Sequence, residues 1–240
     1  MTESPPPDRR YVEGLFHELA PRYNRVLLAY SLGQDLRWKE VLIRRLRPKR
    51  GERALDLACG TGLILDRLSR RLGPSQVVGL DLNRSMLLAS GRPRDRYRLV
   101  QGNAVRLPFA SESFDIVTSG YLLKYVPLKA FFDEMARVLR PGGRLAAYDF
   151  SRPIHASVAG ASYSFYLHRI LPAIGRARSP HRWRAVFEFL PQVAESSGWE
   201  LRVKEFLTRA GFAGIEVVPS LGGAVTWVWA RRDRILPSSE

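Results

Sequence analysis

Two rhythms of apolar and polar positions run along the chain. Short runs rich in apolar and β-branched residues, Arg53–Leu57, Gln76–Leu80, Arg96–Val100, Phe114–Ser119 and Arg144–Phe150, predict strands. Between them apolar residues recur at helical spacing. Ile64, Leu68 and Leu72 share one face while Arg67, Arg70 and Arg71 point elsewhere, and Leu128, Phe131, Phe132, Met135, Val138 and Leu139 share another. Pro141, Gly142 and Gly143 are expected to stop that second helix and turn the chain into the next strand. Strands alternating with helices predict a parallel sheet covered on both faces. The last two runs, Gly214–Val218 and Val225–Arg231, are joined by a link too short for a crossover, so they must pair antiparallel. The expectation is a seven-stranded, mostly parallel, doubly wound α/β sheet ending in an antiparallel hairpin. Two segments fall outside it, a helical N-terminus from about Tyr11 to Leu46 and an insertion from about Ser151 to Ser197, and both are placed to act as lids. Residues 1–10, MTESPPPDRR, read as a disordered lead-in, and 11–240 as a single domain.

Composition narrows the class without naming a partner. Hydrophobic residues are 45% and charged residues 25% of 240, ordinary globular values that exclude disordered and collagen-like chains. The net charge of +15 comes almost entirely from arginine, since only Lys39, Lys49, Lys124, Lys129 and Lys204 are lysines. Such a charge makes an anionic surface a plausible neighbour. No zinc-finger spacing, RRM-type aromatic pattern or helix-turn-helix pairing organises it for nucleic acid, so a nucleic-acid-binding role is the distant alternative. The lone Cys59 excludes a disulfide framework and suits a reducing, cytoplasmic setting. The start lacks the apolar core of a signal peptide, and His155, His168 and Arg169 interrupt the best apolar run, so no spanning helix is expected. Four scattered histidines and one cysteine predict no metal site.

The chemistry concentrates after the strands. LDLACGTG, Leu55 to Gly62, follows the first one, and Gly60 and Gly62 allow a tight turn and close approach of backbone to ligand at a helix N-terminus. A dinucleotide fingerprint needs a third glycine where this chain has Leu65. Asp56 would repel phosphate but suits a cationic amine. Asp81 ends the second strand, 21 residues beyond Gly60, where a carboxylate can accept both ribose hydroxyls. Asn103 follows the third strand and can donate and accept, as an adenine edge requires. Taken singly, the aspartates could cap helices, Asn103 could make a turn and Cys59 fill space. As an ordered set after successive strands they outline a pocket for an adenosine that carries an amino group.

These motifs resemble those of the class I S-adenosylmethionine-dependent methyltransferases, whose Rossmann-like sheet ends in the same hairpin. The likeness to the UbiE/MenG family is more particular: FHELAPRYNRVLLAYSLGQDLRWKE (Phe16–Glu40), LPFASESFDIVTSG (Leu107–Gly120), VLRPGGRLAAYDFSRP (Val138–Pro153), FYLHRILPAIG (Phe165–Gly175) and the tail LGGAVTWVWARR. That resemblance implies transfer of a methyl group to a ring carbon of demethylmenaquinol or a polyprenyl benzoquinol. It implies cofactor contacts at Thr61, Asp81, Asn103, Ala104 and Gly120, to which the residue reading adds Asp56, Gly60 and Gly62, with Leu82 beside Asp81. Tyr23 stands where the family has a tyrosine near the substrate; the alternative is a core tyrosine.

Departures from the family concern the acceptor. Lys124 and Tyr125 replace an Arg-Asn pair, Leu27 replaces an asparagine, and Gly120 stands where a serine is frequent. The Lys124-Tyr125 departure favours, as the alternative, another small aromatic or secondary-metabolite acceptor. Lys124 is the first candidate for stabilising a quinol oxyanion or relaying its proton, against a solvated lysine at a helix start; Asp149 and His155 come second. Tyr163, Leu167, Ile170, Leu171 and Ile174 recur at helical spacing with an expected kink at Pro172, and are placed to line an apolar acceptor tunnel. The run GRARSPHRWR gathers Arg176, Arg178, Arg182 and Arg184 around Trp183, a rim suited to the inner face of an anionic membrane.

Overall fold

The computed structural model describes residues 9–91, 96–178 and 191–234. Among these, seven strands form one sheet in the order β3-β2-β1-β4-β5-β7-β6. They are β1 (Ala54–Leu57), β2 (Val77–Asp81), β3 (Arg98–Gln101), β4 (Phe114–Gly120), β5 (Leu139–Phe150), β6 (Phe212–Ser220) and β7 (Val225–Arg232). The first five pair parallel, and β7 joins β5 and β6 antiparallel. The expected α/β class and terminal hairpin are therefore present. Alternation along the strands divides the core in two. Ala54, Ile116, Ala146 and Tyr148 face α3 (Asp35–Leu46) and α4 (Leu63–Leu72), whereas Leu55, Leu57, Val117 and Ala147 face α6 (Leu128–Val138) and α9 (Trp199–Arg209).

Several expectations are corrected. The Pro141-Gly142-Gly143 run does not separate helix from strand, because β5 begins at Leu139 directly after α6. Its glycines form a bulge: Phe114 pairs with Leu139 and Ile116 with Arg144, and Gly142 holds φ +80°. The N-terminal segment is helical, as expected, and is built in pieces. It comprises α1 (Arg9–Leu19), a 3-10 turn at Ala20–Arg22 set by Pro21, α2 (Tyr23–Tyr30) and α3, so helix begins two residues before Tyr11. The remaining lead-in lies outside the described residues.

The insertion also differs. α7 (Val158–Phe165) runs into a π-helical turn, Tyr166–Ile170, before α8 (Leu171–Arg178). Pro172 follows that turn within one continuous helical run, where it removes a helix hydrogen bond, and the helix widens immediately upstream of it. Tyr163 and Tyr166 donate to the carbonyls of Tyr30 and Ala29 at 2.6 Å, docking the insertion onto α2. Leu167 and Leu171 are buried while Ile170 and Ile174 are exposed, and none of the five lines either of the two cavities described below. Arg182, Trp183 and Arg184 lie outside the described residues, as does the side chain of Arg178.

The start of α7 touches the β6–β7 turn backbone to backbone. A Cβ on Gly160 would overlap the Ile154 carbonyl and the Gly222 carbonyl oxygen, and Gly222 itself holds φ +60°. Because both obstacles are main chain, neither can swing aside. Gly160→Ala is expected to lower unfolding stability by about 1–3 kcal/mol, measured as a shift in the urea midpoint at unchanged slope.

Candidate active site

The glycine turn is assembled by the ends of β1 and β2. Ala58, Gly60 and Gly62 take φ of +52°, +54° and +81°, so the chain reverses tightly after β1. For Ala58 that conformation costs roughly 1–2 kcal/mol, a strain common where backbone meets ligand. The turn is tied to β2 by Cys59 N–H to the Leu80 carbonyl (3.0 Å) and Gly60 N–H to Asp81 Oδ2 (2.8 Å). Asp81 Oδ1 accepts the Asn83 N–H at 2.8 Å. Each carboxylate oxygen thus holds one backbone donor and keeps lone-pair capacity toward the cavity.

That cavity, of about 380 Å³, opens at the carboxyl ends of β1, β2 and β4, the crevice position of an open α/β sheet. Asp56, Gly60 and Thr61 line it from the first turn, and Asp81 and Leu82 from the second. Asn103 and Ala104 follow β3, and Gly120 ends β4. Tyr23 closes it from α2. Gly62 does not reach the lining. It caps α4 instead, with the Tyr97 ring packed so closely that a Cβ would meet the phenol oxygen at 2.5 Å.

Asp56 is buried, and its Oδ1 accepts the Thr118 hydroxyl at 2.7 Å while Oδ2 has no hydrogen-bond partner. Burial pushes its pKa up to about 7, opposed by the Thr118 hydrogen bond and by the nearby Lys39 ammonium. A buried carboxylate oxygen left open beside a cavity suits an ammonium ligand. Neither Asp56 nor Asp81 caps a helix; Asn83 caps α5 (Arg84–Ala89), accepting from Ser85 and Met86 N–H. Asn103 Oδ1 accepts Val105 N–H at 3.1 Å in a local turn, so its amide N–H groups are what it offers a ligand. Cys59 is buried against the Gly79 Cα, a filler.

Lys124 is neither solvated nor in the lining of this cavity. It lines a smaller one of about 30 Å³, behind walls of Phe16, Tyr23, Leu27, Tyr121 and Tyr125 common to both. Its ammonium pairs with Asp149 Oδ1 and donates to the Tyr121 carbonyl at 3.1 Å, and its backbone N–H donates to Asp149 Oδ2 at 3.2 Å. Burial lowers the Lys124 pKa and raises that of Asp149, each partner opposing the shift of the other. His155 is exposed and lines neither cavity.

Sequence reasoning missed what the N-terminal helices bring. Val12, Glu13 and Phe16 of α1 and Lys39 of α3 line the main cavity. Asn83 Nδ2 donates to the Glu13 carbonyl (2.8 Å) and Thr61 Oγ1 to Asn24 Oδ1 (2.7 Å), fastening α1 and α2 over the turn. No local signal marks these pairings, which span 70 and 37 residues.

The orphaned Asp56 oxygen, the Asp81 carboxylate at the second strand and the glycine turn fit the amino-acid end, ribose and backbone approach of S-adenosylmethionine, and the sheet with its reversed last hairpin is that of the class I methyltransferases. Solved structures agree at the level of fold. A SAM-dependent methyltransferase from Thermotoga maritima, described as a possible histamine N-methyltransferase, superposes with TM-score 0.64 at 18% identity over 92% of this chain and 99% of its own. Geranyl diphosphate C-methyltransferase from Streptomyces coelicolor, solved with S-adenosyl-L-homocysteine, gives 0.55 at 17% identity over 82% and 78%. Residues 6–232 match the model of the ubiE/COQ5 methyltransferase family, to which the chain belongs. Relatives named demethylmenaquinone methyltransferase are 34% identical in Roseiflexus sp. (89% of this chain, 91% of that one) and 36% identical in Beutenbergia cavernae (94% and 92%).

The Asp56 carboxylate must be ionised to receive an ammonium. Its ligand-free form gains a proton as pH falls through about 7, so binding of S-adenosylhomocysteine is expected to weaken below that pH, approaching tenfold per unit, and to level off above it. Calorimetric titration from pH 6 to 8.5 checks this, and Asp56→Asn should abolish the dependence.

Proposed function

We propose that this protein methylates a ring carbon of a demethylmenaquinol, drawing the methyl group from S-adenosylmethionine. The observation that carries the reading is the buried Lys124–Asp149 pair behind an aromatic wall shared with the cofactor cavity, in a chain whose near-full-length relatives are named for that substrate. When bound, the cofactor supplies a methyl group already activated on a sulfonium.

The protein's task is then to make the ring carbon electron-rich and hold it in line. A quinol hydroxyl must lose its proton, and the Lys124–Asp149 pair is suited to take it. The pair is neutral overall, so accepting a proton leaves it at +1 facing a quinolate at −1, a favourable match at low dielectric. Burial of Tyr23 raises its pKa well beyond physiological pH, so its phenol donates a hydrogen bond to the quinol oxygen and takes no proton. Phe16 and Tyr125, edge-on at 5.9 Å, furnish flat apolar walls. A cavity of about 30 Å³ cannot admit a fused ring, so α1 and α2 must move apart for the acceptor to enter.

A polyprenyl acceptor resides in a bilayer. Among the described residues no helix is long and apolar enough to cross one. Val158, Phe165, Ile170 and Ile174 instead expose an apolar outer face on α7–α8, beside exposed Arg169 and Arg176. Together with the basic run that continues to Arg184, this face supports peripheral attachment to an anionic leaflet, each basic residue contributing about 1 kcal/mol.

Purified protein with labelled S-adenosylmethionine is expected to move label to a ring carbon of demethylmenaquinol. Lys124→Met should lower kcat about 100-fold while S-adenosylhomocysteine affinity stays within about twofold. Label on neither demethylmenaquinol nor a demethylated benzoquinol, with cofactor bound, overturns the reading and directs attention to the replaced positions Leu27, Lys124 and Tyr125. Co-sedimentation with vesicles should rise with anionic lipid content; indifference to it removes the membrane contact.

A further inference from the structure

The main cavity holds a second buried ion pair that the chemistry above leaves unused. Lys39 and Asp35, one turn apart on α3, pair with side chains only 7% and 2% exposed. Asp35 Oδ1 also accepts the Tyr121 phenol at 2.8 Å. Among the described residues of the cavity lining Lys39 is the one cation; the other charged side chains there, Glu13, Asp56 and Asp81, are acidic. An ammonium has three donors, and Asp35 is the hydrogen-bond partner seen for this one. Its nitrogen lies 5.4 Å from the Tyr121 ring centre and 5.9 Å from that of Tyr148. Burial lowers the Lys39 pKa, partly offset by Asp35, so a further anion would hold it charged. Burying a lysine at a cavity wall is costly, and Asp35 offsets part of that cost.

A second observation comes from β5. Tyr148 lines the same cavity, and its phenol oxygen is buried without a hydrogen-bond partner. Its ring fills the space over Gly120: a Cβ there would meet the ring and the hydroxyl at 3.2 Å. Position 120 therefore contributes no hydroxyl to the floor, and Tyr148 delivers one from the neighbouring strand, with which Gly120 pairs in register. Burial raises the Tyr148 pKa, so this hydroxyl stays a donor. Two open donors, Lys39 Nζ and Tyr148 Oη, and one open acceptor, Asp56 Oδ2, thus face one cavity. Asp56 and Lys39 also interact electrostatically. This is the charge pattern of a zwitterion's complement.

We propose that Lys39 and Tyr148 bind the carboxylate of the cofactor's amino-acid end while Asp56 takes its ammonium. The assignment rests on the cavity being the S-adenosylmethionine site. A ligand with the ammonium alone brings a second positive charge up to the Lys39–Asp35 pair; the carboxylate offsets it.

Three ligands isolate the contact by calorimetry: S-adenosylhomocysteine, its decarboxylated amine, and 5′-methylthioadenosine, which lacks both charged groups. Lys39→Met is expected to weaken S-adenosylhomocysteine about tenfold or more, to leave 5′-methylthioadenosine within about twofold, and to bind the decarboxylated amine at least as well as the unaltered protein. Tyr148→Phe should weaken only S-adenosylhomocysteine, severalfold. Because Lys39→Met strands the Asp35 charge, Asp35→Asn combined with Lys39→Met gives the same comparison with no buried charge left over. Equal losses for all three ligands in folded variants overturn the inference and leave the pair as a wall element. Unaltered protein that binds none of them overturns the cofactor-site reading itself, a different result.

Discussion

Tyr121 is the residue on which the two cavities turn. It follows β4 directly at φ +65°, a conformation that costs a non-glycine residue roughly 1–2 kcal/mol. Three hydrogen bonds over-determine it. Its N–H donates to the Tyr148 carbonyl (2.9 Å), its carbonyl accepts from Lys124 Nζ, and its phenol donates to Asp35. One strained residue thereby joins α3, β5 and the turn carrying Lys124. Its ring stacks on Phe150 and stands edge-on to Tyr148, forming the partition between the cofactor cavity and the Lys124 chamber. Tyr121 thus makes one hydrogen bond to each of the two buried ion pairs.

Charge is distributed around that partition against the usual preference for an apolar interior. Asp56, the Asp35–Lys39 pair and the Lys124–Asp149 pair are all buried at or beside the carboxyl ends of strands. Such groups do little for stability, because desolvation offsets most of their attraction. Their value lies in what they present. Among them Asp56 Oδ2 is a buried oxygen with no hydrogen-bond partner, so its charge is left open beside the cavity. The rest of the sheet compensates with an uninterrupted apolar core on both faces, including Trp199, Phe131, Phe132 and Leu42.

The Gly120–Tyr148 contact ties the side-chain size at one position to its neighbour on the adjacent strand. In register on β4 and β5, the two positions share one volume. A small residue on one strand admits a large hydroxylated side chain on the other, so the function of a position is set by the pair. The KYVP stretch behaves similarly: Lys124 is not a solvated start of a helix but half of an ion pair whose other half lies 25 residues later on β5.

By itself the sequence determined the sheet and which residues end its strands at the carboxyl edge. Strand and helix periodicities are local, and the glycine turn, Asp81 and Asn103 follow their strands at once, so position in the chain fixes position at the sheet's edge. Details needing a partner at a distance were not legible. The Pro-Gly-Gly run reads locally as a turn, yet pairing with β4 draws it into β5 as a bulge; Gly62 reads as a ligand contact, yet Tyr97 claims its free face. Lys39 carries no motif, and only the folding of α3 against β4 and β5 places it beside Asp56, through contacts such as Asp35–Tyr121 that span 86 residues. Backbone preference acts between neighbours in the chain, whereas the electrostatics of the site act between neighbours in space, and only the tertiary structure decides who those are.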